Sequence, residues 1–489
     1  MLKNPAQQKK SEFVFADILS SLVVFLVALP LSLGIAIASG VPVRAGLIAA
    51  VCGGIVVGLL GGAPLQVSGP AAGLTVIVYA LVQKFGVESV AVIAMAAGAI
   101  QVLLGLIKAA RLTLAASPSV IHAMLAGIGI LIALGQFHVL LGFSPGSSAI
   151  ANLRLLPEHL LGAHWGAVAI GLTTLAVIIG WNRWVRPRVP QLPGALPGVV
   201  VGTLLAAGLS LDLPRVAFAS DFLTLPSFPT WGGLSWTDLL IQALTLALVA
   251  SAESLLCAVA TDRLHSGKRA NLDRELLAQG AGNLVSGFFG GLPVTGVIVR
   301  SSANVSAGAR TRLSAILHAV WILVFVLAFG GVLRLIPLAA LAALLVHTGV
   351  NLVKMKELAK VHEHGEGLIY AVTLMGVVFN KLLWGIGIGF ALSLIFLLYQ
   401  VSRIQVKSKD QGEAIEVSIS GALTFLSVPS LIYELNSLPP ARKLKLSFEI
   451  QRIDLAAIET IRDWKSGYER TGGTVQKESL DRLFGVLRT

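Results

Sequence analysis

The chain has 489 residues, of which 55% are hydrophobic and 13% charged, with a mean hydropathy of +0.83. A water-soluble fold of this length could not carry that much apolar surface, so the class is membrane protein. The net charge of +12 resides on Lys and Arg in the short connections between apolar runs, which favours topology over nucleic-acid binding, and the two cysteines, Cys52 and Cys257, lie inside apolar runs and leave neither a disulfide framework nor a metal quartet.

Residues 1–16 are a polar N-terminus, and a first apolar run extends from Asp17 to about Ala38, roughly 20 residues and enough to cross about 30 Å of hydrocarbon. Met1 to Ser11 is longer and more polar than the start of a signal peptide, so this run reads as a retained span. Apolar segments follow at about 44–62, 64–82, 87–107, 117–136, 164–182, 194–211, 236–262, 275–290, 293–305, 311–336, 337–352, 366–379 and 382–400. That makes an all-α polytopic membrane protein of fourteen segments over residues 17–400. With a cytoplasmic N-terminus, every even-numbered connection is also cytoplasmic. Those connections carry Lys108 and Arg111; Arg183, Arg186 and Arg188; Arg263, Lys268, Arg269 and Arg274; Arg310 and Arg312; and Lys354, Lys356 and Lys360. The odd connections carry Arg44, Lys84, Arg154, Arg215, Arg334 and Lys381, a smaller set, as the positive-inside rule requires. Both termini then face the cytoplasm of a multi-pass protein of the cell inner (plasma) membrane.

Segments three and ten are short and interrupted, and each begins after Gly-Gly-x-Pro. GLLGGAP at Gly58 to Pro64 recurs as GFFGGLP at Gly287 to Pro293, an offset of 229 residues. The copies are seven segments apart, an odd number, so they enter the membrane from opposite sides. Paired broken helices in inverted repeats place a substrate site near the bilayer midplane. Beyond Gln400 the text turns polar: residues 401–413 read as a linker, and 414–489 as a small cytoplasmic α/β domain with strands at AIEVSISGAL and KLKLSFEI and helices at SVPSLIYELNSL and DLAAIETIRDWKSGYERTG.

The chemistry-bearing residues are few. Glu253 lies deep in segment eight, where a carboxylate costs about 2.5 to 3.5 kcal/mol to insert, so it must be protonated, paired or facing a hydrated cavity. That suits a proton-coupling group. Arg300 ends PVTGVIVR on segment ten; a fixed guanidinium attracts an oxyanion in forked geometry, and its alternative partner is a carboxylate such as Glu253. A half-helix starting in mid-membrane offers unpaired N–H groups and about half a positive charge. The candidates for such backbone contacts are Ser68, Gly69, Pro70, Ala71 and Ala72 on segment three, and Thr295, Gly296, Val297 and Ile298 on segment ten. Ser68 and Thr295 could equally satisfy local carbonyls. His362 and His364 alternate in a loop expected to be solvated, and His122 and His318, in apolar runs, receive no role. No Walker loop, zinc spacing or nucleophile elbow appears, which argues against a pump driven by ATP or a membrane enzyme; no cofactor or metal is expected.

These motifs together resemble the SulP family of anion transporters: VALPLSLGIAIASG in the first span, QVSGPAAGLTV, AESLL in the eighth, GGLPVTGVIVRSSANVSAGARTRL at the tenth, and a C-terminal domain like STAS. The resemblance covers essentially the whole chain. It implies two inverted repeats of seven spans divided into core and gate, a homodimer, and an elevator-like movement carrying an anion between spans three and ten. Family substrates include bicarbonate, sulfate, chloride and dicarboxylates. The SGPAAG form is similar to bacterial bicarbonate-type members, whereas animal exchangers carry an aromatic residue and a Gln where this chain has Ala71 and Leu31. Leu31 is therefore included among the anion-site residues. In members of the cyanobacterial sodium-coupled bicarbonate type, an Asp and a Thr on span eight and a Thr on span ten hold sodium; the matching positions are Glu253, Cys257 and Ile298. The missing hydroxyls weaken sodium coupling and favour a proton carried by Glu253, with Cys257 beside it. The STAS-like domain has IDLAAIE, with Asp454 but no phosphorylatable Ser at the helix start, which puts regulation through that loop in doubt.

Overall fold

The computed structural model of the chain describes residues 5–110, 117–146, 148–189, 192–218, 234–363, 365–379, 382–402 and 404–476. Arg111, His364, Lys381 and the last stretch of the expected C-terminal domain, 477–489, lie outside the described residues. The chain forms two compact units, residues 1–389 and 390–489.

The first unit is helical. It begins with α1 (Pro5–Ala38), whose Pro30 removes one ladder hydrogen bond in mid-helix. Next comes α2 (Val43–Leu60), which contains a π-turn at Gly53–Val57. The expected third segment is extended at β1 (Ser68–Pro70), becomes helical as α3 (Ala72–Phe85), and ends at Gly86, whose positive φ of 82° turns the chain into α4 (Val87–Leu106). Then come α5 (Pro118–Leu140), α6 (Ala149–Leu161), α7 (Trp165–Val185), α8 (Ala195–Gly208), α9 (Trp236–Asp262) and α10 (Leu272–Phe288). The tenth segment repeats the form of the third: β2 (Val294–Gly296) leads into the short α11 (Ile298–Ser306). The unit continues through α12 (Leu313–Phe329), α13 (Leu338–Leu352), α14 (Met355–Glu363) and α15 (Gly367–Phe379), and α16 (Leu382–Ser402) runs into the second unit.

Each of the fourteen apolar segments holds a helix, and eight helices among the described residues are long and apolar enough to cross a membrane. Two helices were not anticipated. Both α6, with Asn152, Arg154, Glu158 and His159, and α14, with Lys356, Glu357, Lys360 and Glu363, are too polar for a hydropathy reading to register. Local chemistry sets several starts: Ser117 accepts from Ser119 N–H with Pro118 at the first helical position, Ser235 accepts from Asp238 N–H, and Asn271 accepts from Arg274 N–H. Small residues let helices pack backbone to backbone. A Cβ on Gly98 of α4 would lie 2.7 Å from Gly280 O of α10, and one on Gly349 of α13 would lie 2.6 Å from Gly129 O of α5.

The second unit is a four-stranded sheet in the order β3 (Ile404–Asp410), β4 (Ile415–Leu423), β5 (Lys443–Ile453), β6 (Thr474–Val475), with α17 (Val428–Asn436) and α18 (Leu455–Arg470). The β3–β4 pair is antiparallel, and the other two pairs are parallel. Alternating Ile415, Val417 and Ile419 meet Leu431, Leu435, Leu444, Leu446 and Ile461 in its core. The four elements expected here are present, but the expected linker 401–413 is not one: Ile404–Asp410 pairs along its whole length with Ile415–Gly421 of β4. Its charged residues suit an edge strand, exposed on the side that has no neighbour, and charge alone was the wrong guide.

Candidate functional site

Strands β1 and β2 pair antiparallel, with Ser68 opposite Gly296, Gly69 opposite Thr295 and Pro70 opposite Val294. The 229-residue offset turns the pair Ser68–Gly296 into Val297–Val67, the next rung, and Val297 N does donate to Val67 O at 2.9 Å. The register is thus symmetric under exchange of the two motif copies. From this ladder α3 and α11 leave with their N-termini at the crossing. Helical dipoles and the N–H groups of two helix starts therefore converge where the largest fully buried side chain among the described residues, Arg300, also lies.

Arg300 is fully shielded from solvent. Its Nη2 donates to Ser32 Oγ at 2.9 Å and to the Pro70 carbonyl at 3.4 Å, while Nε and Nη1 have no partner. No carboxylate stands within ion-pair distance of it among the described residues, so the alternative of a salt bridge to Glu253 is not formed. Nη1 lies against Gly69, where a Cβ would collide with it. Glu253 sits on the other side of the same turn. A Cβ on Gly73 would be 2.6 Å from both carboxylate oxygens, and Oε2 has no partner. A lone guanidinium and a lone carboxylate thus bracket Gly69 to Gly73.

Beside Pro70 and Ala71 is a narrow crevice whose wall includes Ser39 and Thr75, both with buried hydroxyls that lack partners. Thr75 also borders a larger cleft of about 470 Å³, which Tyr79, Gln136, Ser148 and Asn152 help to line.

The ladder is held by buried polar side chains. Glu275 Oε2 accepts from Gly62 N–H and Ala63 N–H at 2.8 and 2.9 Å, and its Oε1 accepts from Gln66 and Gln279. Gln279 Nε2 also donates to Ser68 Oγ at 2.7 Å. On the second strand, Asn283 exchanges two hydrogen bonds with the Val294 backbone, and Ser254 Oγ accepts from Gly296 N–H at 3.1 Å. Ser301 Oγ accepts from Val67 N–H and donates to Val297 O, and lies 3.5 Å from Cys257 Sγ. Thr295 reaches no group beyond the Gly296 carbonyl, at 3.4 Å.

Of the residues singled out in the sequence, Ser68, Gly69, Pro70, Ala71, Ala72, Thr295, Gly296, Val297, Ile298, Arg300 and Glu253 gather around this crossing, and Cys257 meets it through Ser301. Leu31 is buried in the apolar core of α1, and it is the next residue, Ser32, that reaches Arg300. Sequence reading missed Ser32, Ser39, Thr75, Glu275, Gln279 and Asn283. A signal for the last three was present: Asn271, Glu275, Gln279 and Asn283 recur every four residues, one polar stripe on an otherwise apolar helix.

Residues 14–373 match the Sulfate permease family. The chain belongs to that family. It is a multi-pass membrane protein of a family of anion transporters. It is 30% identical over 406 residues to a bicarbonate transporter, BicA, of Picosynechococcus sp., covering 80% of this chain and 71% of that protein. A putative sulfate transporter of Bacillus subtilis, YvdB, is 29% identical over 438 residues, covering 85% and 81%. The solved transmembrane domain of a cyanobacterial BicA superposes with a TM-score of 0.67 at 28% identity, covering 78% of this chain and 96% of that one. The murine Slc26a9 anion transporter in its inward-facing state shares the fold, with a TM-score of 0.80 at 16% identity over 97% of this chain and 87% of that one.

Proposed function

We propose that this protein is a secondary active transporter of a small inorganic anion, bicarbonate foremost, held between the half-helices α3 and α11 and coupled to a proton on Glu253. The observation that carries this reading is the buried Arg300 with two nitrogens unpartnered beside Gly69. An uncompensated buried guanidinium is costly, and an oxyanion is the ligand that removes the cost with charge-assisted hydrogen bonds. The N-termini of α3 and α11 add backbone N–H groups from Ala72 and Ile298 onward.

Coupling follows from charge balance. In the empty site an ionised Glu253 balances the net charge of Arg300 from across the Gly69 to Gly73 turn, without an ion pair between them. An entering monoanion takes over that role, so the site stays neutral when Glu253 gains a proton. One monoanion then moves with one proton. Sodium is the second candidate for the coupling ion, but Cys257 and Ile298 offer it no hard oxygen.

The identity to a bicarbonate transporter supports bicarbonate, and the identity to a putative sulfate transporter keeps sulfate or a dicarboxylate as the alternative. The remaining parts of the reading are fourteen spans in two inverted repeats of seven, an elevator movement of the core past the gate, a homodimer, cytoplasmic termini in the plasma membrane, and a STAS-like role for the second unit. Uptake of labelled bicarbonate and of sulfate into proteoliposomes, each under imposed pH or sodium gradients, tests it. Acceleration by an inward proton gradient is expected. Absence of gradient-dependent flux of any small anion rejects coupled transport, and flux in Glu253→Gln that conducts passively with unchanged pH response supports an uncoupled channel instead.

A further inference from the structure

The anion site as described leaves His318 of α12 unused. Its imidazole is fully buried. Nδ1 faces the carbonyl oxygen of Ala315; a carbonyl can only accept, so Nδ1 carries the hydrogen and Nε2 is a bare lone pair. That Nε2 is buried and has no partner. The ring rests on the π-turn of α2: a Cβ on Gly54 would lie 2.7 Å from His318 Cε1, the carbon between the two nitrogens. Gly53 faces the opposite way, where a Cβ would lie 2.7 Å from the carbonyl carbon and oxygen of Ser68. Ser68 leads into Gly69, against which Arg300 packs. Two glycines in a π-turn, a feature concentrated at functional sites, thus separate the imidazole from the anion-site strand.

Across the π-turn from the ring, Ser68 and Gly69 lead to the positive charge of Arg300 on α11. The same Cβ on Gly54 would also meet Ala315 and Ala319 of α12, so what shares the π-turn with the ring carries no charge. A proton on Nε2 beside an uncompensated Arg300 would put two positive charges in one dry interior. A dianion on Arg300 reverses that balance. Arg300 offsets one of its charges, protonation of Glu253 removes the site's own negative charge, and a second positive charge is still required. The Nε2 lone pair can supply it by taking a proton from water on the open side, with Nδ1–H unchanged, and by returning it when the anion leaves.

We propose that His318 binds the second proton that a dianion requires at this site, so that monoanions are carried with one proton and dianions with two. The proposal rests on the reading that the anion occupies Arg300 and that Glu253 takes the first proton. His318 acts through charge across the π-turn and does not contact the anion.

The test counts protons taken up when anion is added to the purified full-length protein in weakly buffered detergent, with sulfate as the dianion probe and nitrate as the monoanion probe. Wild type is expected to take up twice as many protons per bound sulfate as per bound nitrate. His318→Asn keeps a donor for the Ala315 carbonyl but has no basic nitrogen, and it is expected to take up the same number for both. His318→Gln is the second variant should the first not fold. Equal uptake for the two anions in wild type, or an undiminished sulfate count in a folded variant, overturns the role of His318 while leaving the anion site standing. Failure of wild type to bind either anion, read separately by isotope binding, overturns the underlying reading and this proposal with it.

Discussion

The two strands that cross at the site are related by one motif but are equipped differently. The first copy supplies backbone and small side chains, Ser68 to Ala72, and is clamped through Gln66 and Gln279 to the buried Glu275. The second supplies the charge. The offset of 229 residues puts Ala71 where Arg300 would be, so the guanidinium has no counterpart across the ladder. A site built from two similar halves thus becomes polar in one direction, with Arg300 against Gly69 and Glu253 against Gly73. On the proposed reading, what differs between the halves gives the anion and the proton separate addresses.

The most severe way to break that asymmetry is Arg300→Met. Loss of the forked hydrogen bonds, worth about 3 kcal/mol, is expected to lower uptake by about 100-fold. Because no carboxylate pairs with Arg300, the substitution should at the same time leave the thermal unfolding midpoint no lower than that of wild type. A parallel fall in stability would place Arg300 in a structural role. Next is Glu253→Gln, expected to abolish acceleration by a proton gradient while leaving anion exchange at equal pH within about threefold of wild type. Gly69→Ala pushes a methyl group into Nη1 and is expected to weaken anion affinity by about 10-fold, a KM effect measured by concentration dependence of uptake. Glu275→Gln keeps one acceptor oxygen but turns the other into an NH2 group, which then faces either the Gly62 and Ala63 N–H groups or the Gln66 and Gln279 amides; it should destabilise the folded protein by about 1 to 3 kcal/mol in thermal melts, with a smaller effect on transport. The smallest effect belongs to the second unit. Asp454→Ala loses the N-cap bond to Ala457, costs that unit about 1 kcal/mol, and should leave anion flux unchanged in the same uptake measurement.

The apolar rhythm and the repeated Gly-Gly-x-Pro were enough to read most helices and to bring β1 and β2 to one place, because lipid forbids any other arrangement for long apolar text. Arg300 and Glu253 were legible because a charge in such text is expensive and needs a reason. Ser32 was not, since a serine in a span is cheap and usually bonds its own helix, as Ser32 also does to Ala28 O. The polar helices α6 and α14 escaped for the opposite reason: hydropathy marks what lipid touches and is silent about amphipathic segments. The strand at Ile404–Asp410 was hidden because edge pairing depends on a neighbour, Ile415–Leu423, rather than on its own side chains.

The pairing of residues 68–70 with 294–296 also sets an order of events during synthesis. Until Gly296 has emerged, the backbone groups of the earlier strand have no ladder partner, and bare peptide groups are not stable in hydrocarbon. The first third of the chain must therefore wait, its extended segment kept wet or sheltered, for a contact separated by more than two hundred residues of sequence, and contacts of that range close slowly. Nascent chains stalled before and after Gly296 should differ sharply in protease resistance around Ser68, and the site proposed for the anion is complete only once Arg300 has emerged as well.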